Sequence, residues 1–252
     1  MATYQLRSMS FGEILDGALA IYREGFGTLV SIAVACQGVP AVLYVYVGLG
    51  GGVVFHPFLW FVAMVLAGVG NLIATGATVW VISEIYLGRD PDFGDAISYA
   101  FGKIVRLVVA GLAKGILVFL ASLLLLIPGV IVWCGYSVVT QVVVLERLPT
   151  SLDSLGRSWD LTKGHKGKAF ALVFVVSLLL GLPLMVGGAL AAFVPALYET
   201  VTIGGQILQL MVYPIMACAF TLFYYDLRVR KEAFDLEHLS RQIGLGEDTT
   251  DV

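Results

Sequence analysis

Charge is what this sequence has least of. Only 13% of its 252 residues are Asp, Glu, Lys or Arg, about half of the roughly 25% usual in a water-facing domain. The formal net charge is −3, so the basic excess of a nucleic-acid binder is missing. Cysteine is scarce as well. Cys36, Cys134 and Cys218 all lie in apolar runs and make no even-numbered disulfide framework. His56, His165 and His238 are scattered, and no Cys/His group has metal-ligand spacing. No G-x-S-x-G elbow is present. The stretch Gly164-His165-Lys166-Gly167-Lys168 lacks both the glycine spacing and the Ser or Thr of a phosphate-binding P-loop. These absences predict no metal, no cofactor and no catalytic centre, hence not an enzyme.

What is there is apolar. The hydrophobic fraction is 59% and the mean hydropathy +0.91, which excludes disorder and points to an all-α integral membrane protein. The few charges delimit three blocks: 25–83, with none; 107–145, broken only by Lys114; and 169–225, broken only by Glu199. One crossing takes about 20 residues, so each block predicts two, at 27–49, 57–86, 107–127, 130–146, 169–195 and 203–226. Two crossings in the middle block bring every Lys and Arg except Lys114 to one side, and the loops near 50–56, 128–129 and 198–205 carry none. Such asymmetry predicts cytoplasmic termini. Trp60, Tyr86, Tyr198, Tyr224 and Tyr225 suit interfacial belts. The first apolar run begins after more than twenty amphipathic residues and outlasts a signal peptide, which predicts insertion rather than export. The membrane domain is expected over 1–229. The tail 230–252 is expected to continue the last span, turn amphipathic and end in the acidic stretch 246–252.

The hairpins look repeated, at about 10–88, 92–147 and 151–229. Ser10-Phe11-Gly12-Glu13, Asp92-Phe93-Gly94-Asp95 and Ser151-Leu152-Asp153-Ser154 precede them, and Ser10 with Glu13 fits a capping box. Phe11, Ile14, Leu15, Ala18, Leu19 and Tyr22 form one helical stripe. Phe93, Ala96, Ile97, Ala100, Phe101 and Ile104 repeat it, and Leu152, Leu155, Gly156 and Trp159 give a weaker third copy. These predict short interfacial helices. Gly38-Val39-Pro40, Pro128-Gly129 and Gly181-Leu182-Pro183 mark the odd-numbered spans, where proline bends or ends a helix. Glu84, Glu146 and Asp226 close the even-numbered spans.

Lys114, between Gly111 and Gly115, is the one cation expected inside the membrane zone. Two readings fit it: snorkelling or pairing with an acid such as Glu84, Glu146 or Asp226, or a site for an anion or lipid headgroup. Arg157, Lys163, His165, Lys166 and Lys168 form a second cluster, either topogenic or headgroup-binding. Gln37, Asn71, Thr75, Thr78, Ser122, Thr140, Gln141, Gln206 and Gln209 are polar residues within spans, fitting interhelical hydrogen bonds or a cavity lining.

Four runs carry a resemblance: Ser10-Phe11-Gly12-Glu13-Ile14-Leu15-Asp16; Ile127-Pro128-Gly129; Ser158-Trp159-Asp160-Leu161-Thr162-Lys163-Gly164-His165; and Tyr224-Tyr225-Asp226-Leu227-Arg228-Val229-Arg230-Lys231-Glu232. Together they resemble the membrane domain of some bacterial glycerophosphodiester phosphodiesterases and related stand-alone bacterial membrane proteins. The resemblance implies a multi-pass protein of the bacterial cytoplasmic membrane, without the metal-binding catalytic domain. The expected function is non-catalytic: a scaffold for protein partners or a homo-oligomer, or a handler of membrane lipid or another amphiphile. The alternative is a small-solute or lipid transporter or channel of three parallel repeats, although the charged motif of mitochondrial carriers is missing after Pro40, Pro128 and Pro183.

Overall fold

The computed structural model describes the backbone of residues 8–86 and 88–247, and the side chains of 8–232 apart from 87, 176 and 180. Arg7, the side chains of His238 and Arg241, and the last five residues of the acidic tail lie outside the described residues. The described chain is all-helical, and six of its helical segments are long and apolar enough to span a membrane.

The first helix, α1 (Phe11–Glu24), starts where expected. Ser10 Oγ accepts from the Glu13 amide at 3.3 Å while the Glu13 carboxylate accepts from the Ser10 amide at 2.7 Å. This reciprocal pair satisfies two amides that the helix leaves orphaned. Its buried face is Ile14, Ala18 and Ile21, with Leu19 turned outward. Two spans follow, α2 (Phe26–Leu49) and α3 (Pro57–Tyr86), joined by a turn in which Gly51 and Gly52 take positive φ. They approach so closely that a Cβ at Gly70 would overlap the Cys36 carbonyl oxygen.

Helix α4 (Phe93–Gly102) is capped by Asp92, whose carboxylate accepts from the Gly94 amide at 2.7 Å, and buries Ala96 and Ala100. The third span, α5 (Ile104–Leu124), ends at an extended Leu125. The fourth is divided into α6 (Leu126–Gly135) and α7 (Val139–Leu145) by a turn at 136–138. Helix α8 (Asp153–Thr162) then leads to the fifth span, α9 (Lys166–Phe193). A 3-10 turn, Pro195–Leu197, precedes α10 (Tyr198–Glu247), which is 50 residues long and so about 75 Å. It passes the expected boundary at 229/230 without a break.

The third short helix and two of the proline marks depart in part from expectation. In the turn that leads into the third short helix, Thr150 and Asp153 exchange amide hydrogen bonds, at 2.9 and 3.3 Å. Of the expected stripe Leu155 is buried and Trp159 half-buried, whereas Leu152 and Gly156 are exposed and Ser154, Ser158 and Leu161 are buried in their place. The serines tolerate burial because each donates to a carbonyl, Ser154 to Ser151 at 2.6 Å and Ser158 to Gly135 at 3.0 Å. Prolines 40 and 183 lie inside unbroken helices, Pro128 sits in the first turn of α6, and Pro214 also lies within α10. Pro128 thus stands, as expected, at the break that ends the third span, and a further interruption, at 136–138, falls in the fourth span where no proline stands.

Sidedness appears in the packing. The largest fully buried side chains, among them Tyr224, Phe223, Ile14, Ile21 and Ile82, gather where α1, α3 and α10 meet. That end also holds most of the charge. The far side of α5 and α6 presents Leu123, Leu124, Leu125, Leu126 and Ile127 bare.

Candidate functional site

Two polar clusters stand out. The first is built on Tyr224–Glu232 at the charged end. Asp226 is fully buried, and three donors converge on it: the Met9 amide at 2.7 Å, Arg230 Nε at 2.8 Å and Lys168 Nζ at 3.2 Å. Lys168 and Arg230 also donate to the Met9 carbonyl, at 2.9 and 3.0 Å. A buried carboxylate is tolerable only with such compensation.

Glu146 accepts from Arg157 Nε at 3.0 Å and from the Tyr224 hydroxyl at 2.8 Å. Arg157 reaches on to Glu232 at 2.6 Å, and Arg228 closes the chain onto Glu232 with two bonds of 2.8 Å. Burial pulls the Arg157 pKa down, but hydrogen bonds and charge from Glu146 and then Glu232 outweigh it, for a net rise. Tyr225 donates to Ser83 at 3.0 Å and stacks on Tyr86. The run Tyr224–Glu232 is thus a clamp joining α3, α7, α8, α9, α10 and the segment before α1.

That clamp takes up four of the sequence candidates, Glu146, Arg157, Lys168 and Asp226. Arg157 and Lys168 are spent on Glu146, Glu232 and Asp226. Lys166 lies over the Trp159 ring, 3.3 Å from its centroid. Glu84 pairs with Arg89 at 3.0 Å. Lys163 is exposed. His165, at the start of α9, has its pKa lowered first by burial and then by Arg230 and Lys168. None of Glu84, Glu146 and Asp226 meets Lys114.

The second cluster surrounds Lys114. The turn at 136–138 makes it possible. Gly135 ends α6, and its carbonyl accepts from Ser158 and Thr162 of α8, each at 3.0 Å. A Cβ at Gly135 would overlap the Trp159 ring, so only glycine lets α8 come this close. With its carbonyl held from outside, the span turns, and Ser137, Thr140 and Gln141 face a cavity of about 300 Å³. Irregular backbone at membrane depth is stable only where it is buried or lines such a cavity.

Lys114 enters from α5. Asn71 and Thr75 of α3 and Tyr213 of α10 line the opposite wall, hydrogen-bonded to one another. Gln141 is 3% exposed and its Oε1 has no partner; Ser137 Oγ is buried without one as well. Among the described residues no acid and no hydrogen bond serves Lys114.

Asn71 and Tyr213 also line a second cavity, of about 760 Å³, between α2, α3, α9 and α10. Gln37, Gln206 and Gln209 supply its polar groups. Most of the polar span residues therefore line one of two adjoining cavities. Thr78 is buried, and Ser122 returns to the Val118 carbonyl at 2.8 Å. Sequence reasoning missed Ser137, Trp133 and Tyr213. A tyrosine in mid-span, far from either interface, was the available signal.

Fold and cavities define a multi-pass α-helical protein with a polar interior between apolar spans. No family model, curated protein or solved structure matches the chain.

Proposed function

We propose that this is a non-catalytic multi-pass protein of a bacterial cytoplasmic membrane that holds an amphiphile between its helices. The observation that carries the reading is the 760 Å³ cavity, whose glutamines and Tyr213 are set among Ala33, Pro40, Leu184 and Met216. Its size falls within the about 300–1,000 Å³ of small-molecule sites, and its mixed wall suits a ligand that is part polar and part apolar. A scaffold for protein partners or a homo-oligomer needs no such space.

The charged end is assigned to the cytoplasm on the asymmetry of Lys and Arg. The three-hairpin repeat is kept, with support from the short helices. Four and eight residues after Ser10, Asp92 and Thr150 stand Ile14 and Ala18, Ala96 and Ala100, and Ser154 and Ser158, all buried. Exposed Phe93 and Phe101 suit a helix lying at an interface. The resemblance to phosphodiesterase membrane domains agrees with a lipid-facing role.

Mass spectrometry of protein purified in mild detergent tests the reading. A stoichiometric co-purifying lipid is expected. Complete delipidation with the fold and unfolding midpoint unchanged sinks it. The second reading, a transporter, rests on the junction of the two cavities at Asn71 and Tyr213 beside a broken span, the arrangement in which irregular backbone serves a pathway. Flux of anionic lipid or solute into proteoliposomes tests it, and rates equal to those of protein-free vesicles count against it.

A further inference from the structure

Lys114 poses a problem in charge balance. It stands ten residues into α5, about 15 Å along the helix, and the three acids that close the even-numbered spans are engaged elsewhere. Glu84 is on Arg89, Glu146 on Arg157 and Tyr224, and Asp226 on Lys168, Arg230 and Met9. An ammonium at membrane depth is stable only with a counter-charge or strong acceptors. Around it stand Ser137 and Thr140, which can donate, and Gln141, buried with its Oε1 unpartnered and its amide free to turn. A cation and uncommitted donors facing one small cavity are complementary to an anion. The larger cavity lies on the other side of Asn71 and Tyr213, whose mutual hydrogen bond divides the two spaces, so an occupant reaches from one into the other by parting that pair.

Resting on the amphiphile reading, we infer that the Lys114 cavity seats the anionic head, a carboxylate or phosphate, of a single-chain amphiphile whose tail lies in the larger cavity. Lys114 Nζ supplies the charge, Ser137 and Thr140 donate hydroxyls, and Gln141 turns its amide so that its N–H donates.

The test uses the full chain in phosphatidylcholine nanodiscs and the fluorescence of Trp133, which lines the same cavity. The probes are 2-bromohexadecanoate, whose bromine beside the carboxylate quenches a nearby indole; its uncharged methyl ester; and inorganic phosphate. Saturable quenching by the acid is expected, disappearing in Trp133→Phe. Lys114→Met should weaken it at least about tenfold, Lys114→Arg should retain it, and the ester should be indifferent to both changes. Equal quenching by acid and ester in the wild-type protein overturns the head-group assignment while leaving amphiphile binding intact. That comparison remains decisive if Lys114→Met does not fold. A Lys114-dependent response to phosphate without acid binding makes the occupant a free anion and overturns the assignment too. Absence of saturable quenching by either amphiphile defeats both this inference and the reading beneath it.

Discussion

At the charged end, three donors converge on a fully buried Asp226. Thirteen residues earlier on the same helix, Tyr213 faces a cavity in which Lys114, Ser137 and Gln141 find no protein partner. One cluster is closed on itself and the other is left open. Closing a buried network makes it structural, because every group removed leaves another uncompensated. Leaving one open sacrifices stability at a place where something else can bind. Counting buried charges does not separate the two; asking which are already paired does.

The largest effect should come from breaking the closed cluster. Asp226→Ala leaves the Met9 amide without its acceptor and Lys168 and Arg230 without their counter-charge, holding only the Met9 carbonyl, and should lower stability by about 3–5 kcal/mol, read as the midpoint of SDS unfolding. A loss below 1 kcal/mol would mean that water replaces the carboxylate.

Next comes the wall behind the open cluster. Gly70→Ala pushes a methyl into the Cys36 carbonyl and should cost about 1–3 kcal/mol. Gly68→Ala, two residues away with open space before it, should be neutral or slightly stabilising. Equal effects would mean that the cavity is loose packing rather than a space kept within a tight wall.

The open cluster itself should respond with opposite sign. Gln141→Leu removes an unsatisfied buried acceptor and should raise stability in delipidated protein by about 1 kcal/mol. A loss of similar size would show that Gln141 is already satisfied, and the contrast with Asp226 would collapse.

The smallest effect is on pH dependence. Burial, then Arg230 and Lys168, outweigh the opposing pull of Asp226 and hold the folded His165 pKa below its ordinary value, so folding favours neutral imidazole. Its contribution is full above about pH 6.5 and is lost as the pH falls through the folded value, where the imidazole must charge beside two cations. His165→Asn should flatten that part of the thermal-stability profile, and an unchanged slope would assign the dependence to another group.

Much of this architecture was legible because charge is so sparse. The gaps between Glu24 and Glu84, Arg106 and Glu146, and Lys168 and Asp226 locate the first five spans to within a few residues, while the sixth, expected at 203–226, runs from Pro195 to Glu232, past Glu199 and Asp226. Ser10 and Glu13 announce their helix because a capping box is a local contact. The division of the fourth span was not legible, since its cause is remote in sequence: Gly135 ends a helix because Ser158 and Thr162 of α8 take its carbonyl. The same remoteness hid the fates of Arg157 and Lys168, which looked like a basic surface until Glu146 and Asp226 folded onto them. Lys114 was conspicuous in sequence, but that the polar residues of three other spans turn toward it is a property of packing alone.

Pro214 adjoins Tyr213 inside α10 and, lacking an amide hydrogen, leaves the Leu210 carbonyl without its helical donor. The long helix therefore has its softest joint beside the cavity and its firmest anchorage at Asp226, roughly 20 Å further along. Mechanically it is a lever whose pivot lies in the membrane and whose arm is bolted down at the charged end. An occupant of the kind proposed, pressing on Tyr213, would bend the joint first. Only a force large enough to loosen the bolts reaches the helical segment beyond them.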